Sequence, residues 1–595
     1  MFDYIVGDEY SIFRGSLFVT TIISIGAIFI SYKIARMLYM RDFYKSKIMR
    51  AKNRKQEMKD KIRREISLAD GTLITSHRQD ILKLKLEELV EKLQSSLLSP
   101  LQVLQAYQAK AILVDDETNC IVEFIDDAEI IAKELNKVSD KKSYPLFGVP
   151  LSVKECLAVK NTDSTAGLAK YLFQPSGKDC SLVEAMRTMG VIPFCRTNNP
   201  QMLKSFGCSN PIYGNTTNPF NNKLTAGGSS GGEAALIAGG GSIIGIGSDI
   251  GGSLRVPAHF CGIASLKPTF GRLLENGFRL KRDQQPPFFK CCSGFMSKDV
   301  SALIKLHALF ADQSEEFAKK HYSLVPLKWN RSLLTKRKMK IGWFDHNNYF
   351  EAVPSCTRAL YECVDLLSQN GHDLIKIEDP GTPKLVDIVL SSFQSDGGAR
   401  VRSVVDEKEC IDECYRLNYY LAYVPEFIKY YLGKIIFTYI IPSKILLQLS
   451  SKKALPASEI WRLSGELQTF EEKVHEIWWQ SLGLDAVITP GFAFPAIPNS
   501  EVSIYLPAAA FTAPYNILDL PAGVVPFTKV NQEDINKMDG YPYHESDDYL
   551  FKRLKTKLTG TIDCPVGVQV IGKKWQEETV LYLMNEIQHL LKFKT

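Results

Sequence analysis

The sequence predicts an α/β fold built on a buried, largely parallel sheet, and two observations carry that prediction. Short β-branched runs such as GVPLSVK at 148–154 and VIPFCRT at 191–197 alternate with helical stretches such as SLVEAMRTMG at 181–190, the pattern of strand–helix crossover units. Apolar residues make up 45% and charged residues 23% of the 595 residues, ordinary globular usage that supplies the surface for a large core. A net charge of +6 over this length is too small to indicate nucleic-acid binding. The thirteen cysteines are odd in number and lack paired CxxC spacing, so neither a zinc site nor a disulfide framework is indicated.

Taken in order, residues 1–14 form a short tail holding Asp3, Asp8 and Glu9, and Gly15 to Tyr32 are uncharged and mostly apolar. Eighteen residues at helical rise reach about 27 Å, close to the hydrocarbon thickness of a bilayer. A signal peptide would carry its basic residues ahead of the apolar run and a small-residue cleavage site after it. Neither is present, so 15–32 is expected to be a single transmembrane helix. Between Lys33 and Arg64 stand thirteen Lys and Arg against Asp42, Glu57 and Asp60. The positive-inside rule keeps that flank cytoplasmic and the tail outside or lumenal. Residues 33–80 then read as a basic helical stalk near anionic headgroups, and 81–595 as the globular body.

In the body, ILKLKLEELVEKLQSSL from Ile81 spaces its leucines as a helix does, and Ser99-Pro100 starts another. Gly148 and Pro150 break any helix and leave the following residues to a strand. From Gly227 to Gly262 the chain reads GGSSGGEAALIAGGGSIIGIGSDIGGSLRVPAHFCG. Its helix formers and β-branched residues are wrong for a flexible linker. A P-loop needs a lysine that the run lacks, and Ile250 stands where a dinucleotide fingerprint wants its third glycine. A GxSxG elbow fails because Leu254 and Arg255 follow Ser253. What remains is a turn where backbone comes close to a reacting group. Ile250, Gly251, Gly252 and Ser253 offer consecutive N–H groups to a developing oxyanion, with Ser253 as candidate nucleophile. A serine needs a base. His259 is the only histidine nearby and its surroundings favour packing; Lys154, ending an apolar strand, is the alternative if burial lowers its proton affinity. The residues alone leave the base open.

This run, together with GVPLSVKE upstream, resembles the amidase signature family. The resemblance extends through CSNPIYGNTTNP, GIASLKPTFGR, LDLPAGVVPFTKV and DCPVGVQVIGKKWQEE, which is to say across the whole body. It implies an α/β fold with a large twisted mixed sheet covered by helices, and a triad of a lysine, a serine in a cis peptide linkage and a nucleophilic serine. Matched residue by residue these are Lys154, Ser229 and Ser253, with the oxyanion hole at the N–H groups of Ile250, Gly251, Gly252 and Ser253. Ser230 is expected to support Ser229, and Asp249 and Arg255 to scaffold the turn. The implied reaction is amide hydrolysis through an acyl-enzyme, Ser229 passing protons between Ser253 and Lys154 and then to the leaving amine. No metal and no organic cofactor is required. Membrane-anchored members are the best match. Their substrates are fatty acid amides, N-acylethanolamines such as anandamide and primary amides such as oleamide. A homodimer on the endoplasmic reticulum or another endomembrane is implied with them.

From Arg416 the chain reads RLNYYLAYVPEFIKYYLGKIIFTYIIPSKILLQLSSKK. Pro425 and Pro442 cut it into helices too short to span a bilayer, and its lysine and tyrosine edges suit the headgroup plane. The resemblance implies a membrane-dipping cap near 416–450. Sequons at Asn215 and Asn330 are expected to stay bare on a cytosolic body, Asn215 lying in a loop near the site. Two other readings compete: an amidase of small non-lipid amides or a transamidase-like subunit, and an inactive membrane scaffold. Intact Lys154, Ser229 and Ser253 speak against the scaffold.

Overall fold

In the computed structural model, which describes residues 43–592 apart from 280–284, 336, 406–407 and 543–547, together with 31, 32 and 35, the β-branched runs assemble into one eleven-stranded sheet. In chain order its strands are β1 (Ile121–Phe124), β2 (Pro150–Lys154), β3 (Ile192–Thr197), β4 (Ile244–Asp249), β5 (Ala264–Lys267), β6 (Cys292–Ser297), β7 (Lys340–Trp343), β8 (Asp373–Lys376), β9 (Ala486–Pro490), β10 (Ala522–Lys529) and β11 (Pro565–Gly572). Across the sheet they run β1-β3-β2-β4-β6-β5-β10-β11-β9-β7-β8. β2, β3, β4 and β11 are buried at every position, as strands covered by helices on both faces must be.

The sheet is mixed. β3 and β4 flank β2 in parallel, and β8 and β9 flank β7 in parallel. The other six pairings are antiparallel. This corrects the largely parallel sheet expected from strand–helix alternation and agrees with the architecture the resemblance implies. Alternation locates crossover connections, but the centre is built from β6, β5, β10 and β11, which pair across long sequence separations and reverse direction each time.

Local signals place the helices. Helix α1 (Lys45–Asp70) ends at Gly71, whose φ of 71° closes it in the left-handed region. Helix α2 (Pro100–Thr118) starts as expected, Ser99 Oγ accepting from Gln102 N–H while the Gln102 side chain accepts from Ser99 N–H. Helix α3 (Gly231–Ala238) and helix α4 (Arg255–Cys261) bracket β4. β2 and β4 run parallel with Val153 opposite Ile246, so both strands finish at the same edge, the usual seat of a site in an open α/β sheet.

The segment read as a stalk is helical, but several of its cations are engaged by the body. Lys59 Nζ lies 2.7 Å from Asp115, Lys55 Nζ 3.1 Å from the same carboxylate, and Arg54 3.0 Å from both Glu123 and Asp163. Ala51 and Ile66 are buried. Helix α1 is therefore a brace on the body and not a free-standing linker. The tail at 1–14 and the apolar span at 15–32, save its last two residues, lie outside the described residues. Among the described residues no helix is long and apolar enough to cross a membrane.

The region divided by Pro425 and Pro442 forms α5 (Glu413–Leu421), α6 (Glu426–Ile435), a π-helical turn at Ile436–Ile440, and α7 (Lys444–Ser450). It carries a dense group of exposed apolar and aromatic side chains, with Phe427, Tyr431, Tyr439 and Ile440 each more than 60% exposed.

Candidate active site

Lys154 is the last residue of β2 and is wholly buried. Its Nζ donates to Ser229 Oγ at 2.7 Å and to Ser248 Oγ at 3.0 Å. Burial lowers the proton affinity of the amine, and the nearby thiols of Cys156, Cys291 and Cys208 and the carboxylate of Asp249 only partly oppose it. A lysine held this way is poised to be neutral, and a neutral amine can take a proton from the hydroxyl it touches.

Ser229 enters the site through a cis Gly228–Ser229 peptide bond. Position 228 must be glycine, because a Cβ there would lie 2.3 Å from Gly207 O and 2.5 Å from Ser205 O. The neighbouring Ser230 ties the two halves of the glycine-rich run together. Its N–H donates to Ser253 O at 3.1 Å, and its Oγ donates to Ser248 O at 3.3 Å while accepting from Ser248 N–H at 3.4 Å.

Ser253 stands on the turn after β4, and the turn is shaped from below by Asp249. That carboxylate accepts from Gly252 N–H at 2.7 Å and Leu254 N–H at 3.0 Å, from Asn516 Nδ2 at 2.8 Å, and from Arg255 through Nε at 3.1 Å and Nη2 at 3.0 Å. Arg255 in turn donates to Thr512 O, Gln569 Oε1 and Asn516 Oδ1. Burial alone would raise the Asp249 carboxyl, but the Arg255 guanidinium and these donors outweigh it and hold the group well below the usual carboxylate range. The pair braces the turn from beneath. One consequence was invisible in the sequence: Gly252 N–H is engaged by Asp249, which leaves Ile250, Gly251 and Ser253 as the donors of the expected four that can face a ligand. Gly252 has φ 126°, and a Cβ there would meet Thr512 Oγ1 at 2.4 Å.

The structure thus brings Lys154, Ser229, Ser248 and Ser253 into one site. The Lys154–Ser229 contact is closed. Among the described residues Ser253 Oγ makes no hydrogen bond to Ser229 or to any other protein group, so its hydroxyl is available to an incoming ligand. Two members were missed from the sequence. Ser248 is placed by strand register, since Lys154 reaches across to β4 only because β2 and β4 pair in parallel. Glu233, in the first turn of α3, accepts from Ser152 Oγ at 2.6 Å and Thr197 Oγ1 at 2.8 Å and braces β2 and β3 beneath Lys154. Burial pushes its carboxyl up to about 7.

His259 lies apart from this site. Its Nδ1 accepts from Gly567 N–H at 3.1 Å, its ring packs against Phe260 and Phe492, and burial pushes it down to about 4. It packs as a neutral core residue and touches none of the serines. Asn215 is exposed on a short hairpin strand and is not among the residues lining the cavity.

The serines line a cavity of about 60 Å³ that is partly open to solvent. Ser229, Ser248, Ile250 and Ser253 form its polar wall, and Met202, Leu203, Phe278, Pro286 and Phe393 its apolar one.

Comparison with known proteins agrees with this geometry. Residues 102–581 match the family model described as Amidase. The chain is 34% identical over 543 residues to fatty acid amide hydrolase 1 of Caenorhabditis elegans, covering 90% of this chain and 93% of the relative. It is 34% identical over 548 residues to fatty-acid amide hydrolase 1 of Sus scrofa, covering 91% and 92%. Among solved structures, a fatty acid amide hydrolase superposes with a TM-score of 0.75 at 23% identity, covering 93% of this chain and 95% of that one. A 6-aminohexanoate cyclic dimer hydrolase complexed with substrate superposes with a TM-score of 0.65 at 19% identity, covering 86% and 98%. These two likenesses are of fold.

Proposed function

This chain belongs to the amidase family, and from that premise we propose that it is a membrane-bound hydrolase of fatty acid amides working through Lys154, Ser229 and Ser253. The observation that carries the proposal is the buried 2.7 Å contact between Lys154 and Ser229, placed at the polar wall of a cavity whose other wall is apolar. Similarity to fatty acid amide hydrolases over nine-tenths of the chain supports the choice of substrate.

In the reaction, neutral Lys154 takes the Ser229 proton as Ser229 takes that of Ser253, and Ser253 Oγ attacks the amide carbonyl. The N–H groups of Ile250, Gly251 and Ser253 receive the oxyanion. Collapse returns the proton from Lys154 through Ser229 to the nitrogen, so an amine leaves and not an amide anion. Water then hydrolyses the acyl-enzyme by the same relay, giving the fatty acid and regenerating Ser253. Ser248 holds Lys154 in place, and Ser230 fixes Ser248 against the nucleophile's turn.

Membrane attachment belongs to the same proposal. The exposed aromatic group on α5, α6 and the turn at Ile436–Ile440 suits insertion at headgroup depth, and the apolar span at 15–32 would anchor the body on the cytosolic side of an endomembrane such as the endoplasmic reticulum. A homodimer completes the proposed assembly.

The test is a substrate series of graded acyl length with the detergent-solubilised protein, alongside fluorophosphonate labelling. Activity rising with chain length, and labelling abolished by Ser253→Ala, are expected. A flat response from short to long chains would sink the lipid reading and return the chain to the small-amide amidases.

A further inference from the structure

A hydrocarbon cavity has no use for an ammonium, yet Lys204 stands in this one, beside Met202, Leu203 and Phe393. The chain reaches it through two consecutive residues in the left-handed region, Met202 at φ 59° and Leu203 at φ 58°, a backbone course that side chains of this kind adopt only when their surroundings impose it. Met202 N–H is held by Ala166 O at 2.9 Å and Leu203 N–H by Pro200 O at 3.0 Å, so the loop presents Lys204 from a fixed base. The ammonium lies over the Phe393 ring, 5.6 Å from its centroid. Among the described residues no carboxylate comes within ion-pair distance of it.

The charged groups facing Lys204 are Arg400, which lines the same cavity, and Asp396. The Asp396 carboxylate already accepts from Gly398 N–H at 2.9 Å and Arg400 N–H at 2.7 Å. Burial pushes the Lys204 ammonium down to about 7, Arg400 adds to the push, and Asp396 opposes it. By accessible surface the residue is half-buried, too enclosed to be a plain solvated lysine. A leucine or phenylalanine would line an apolar channel at no desolvation cost. No hydrogen bond joins Lys204 to Ser229, Ser248 or Ser253, so its place is away from the scissile carbonyl.

We propose that Lys204, with Arg400 on the same wall, is a specificity-determining residue that receives a carboxylate carried by the substrate, and that this chain prefers long-chain amides bearing an acidic group. The inference rests on the amide-hydrolase reading of the same cavity. The carboxylate can belong to the amine portion, as in an N-acyl amino acid, or to the far end of the acyl portion, as in a dicarboxylic acid monoamide. Either would give Lys204 an ion-pair partner at short range.

The experiment compares kcat/KM for oleoyl ethanolamide, N-oleoylglycine and octadecanedioic acid monoamide in the wild type, Lys204→Leu and Lys204→Arg. In Lys204→Leu the ratio of acidic to neutral substrate should fall by about tenfold or more for one acidic arm, the worth of one charge-assisted hydrogen bond. Lys204→Arg should restore it, and the arm that falls locates the carboxylate. Unchanged ratios in both arms overturn the inference. A readout without turnover separates it from the reading it rests on: protection of Ser253 from fluorophosphonate by octadecanedioate. If the wild type cleaves none of the three amides but that protection is lost in Lys204→Leu, the fatty-amide function fails and the anion site stands. Equal protection in wild type and variant sinks the anion site.

Discussion

The fold keeps water from Lys154. Its amine is satisfied by two hydroxyls and no carboxylate, so burial sets its proton affinity. Lys154→Ala should slow acylation by about 10²–10⁴-fold and change the pH–rate profile on its acidic limb; a profile of unchanged shape would exclude Lys154 as the base. The same burial appears in stability. Between the lowered value in the folded state and the ordinary 10.5 or so of an exposed lysine, the unfolded chain binds one more proton than the folded one. This residue's penalty is therefore largest at low pH and shrinks as pH rises through that window. Lys154→Met should accordingly raise the urea midpoint at pH 7 and lose its advantage toward pH 10. Asp249 has the opposite sign, its folded affinity being depressed, so its stabilisation is present above the ordinary carboxylate range and lost in acid. Asp249→Asn leaves Arg255 buried and unpaired, and should cost about 3–5 kcal/mol in denaturant melts at neutral pH. The three residues that the structure gathers at the cavity were legible because their motifs are local: GVPLSVKE, GGSSGGE and DIGGS each carry one. Ser248 and Glu233 were not, since their contacts depend on which strands lie side by side. The commitment of Gly252 N–H to Asp249 is a matter of turn geometry that residue types do not reveal.

At the scale of elements, the sequence located helices and strands better than it judged what covers them. Ser99-Pro100 marked a helix start correctly, because caps are chemistry of adjacent residues. The basic composition of α1 suggested lipid, yet its partners are Asp115, Glu123 and Asp163, carboxylates fifty or more positions away. The helices α5 to α7 are the reverse case, apolar and left exposed. Replacing Tyr439 and Ile440, the two exposed large apolar side chains of the π-helical turn, with glutamate should reduce co-sedimentation of a chain lacking residues 1–42 with anionic liposomes, and leave turnover of a detergent-dispersed substrate far less affected. Undiminished liposome binding would remove this surface from the proposed membrane contact.

For the whole molecule, the large α/β body was legible from alternation and composition, and the mixed character of its sheet was not. Strand direction at the centre is decided by pairings such as β5 with β10 and β9 with β11, which no local pattern encodes. That arrangement has a consequence for the order in which the enzyme comes into being. The turn bearing Ser253 is braced by Arg255, and Arg255 by Asn516 and by Gln569, the latter 314 residues further on. A ribosome that has delivered Lys154, Ser229 and Ser253 has still to deliver the residues that hold them in register. A nascent chain carrying Lys154, Ser229 and Ser253 lacks that brace until β11 takes its place in the sheet, so the turn under Ser253 is completed only after 314 further residues have followed Arg255.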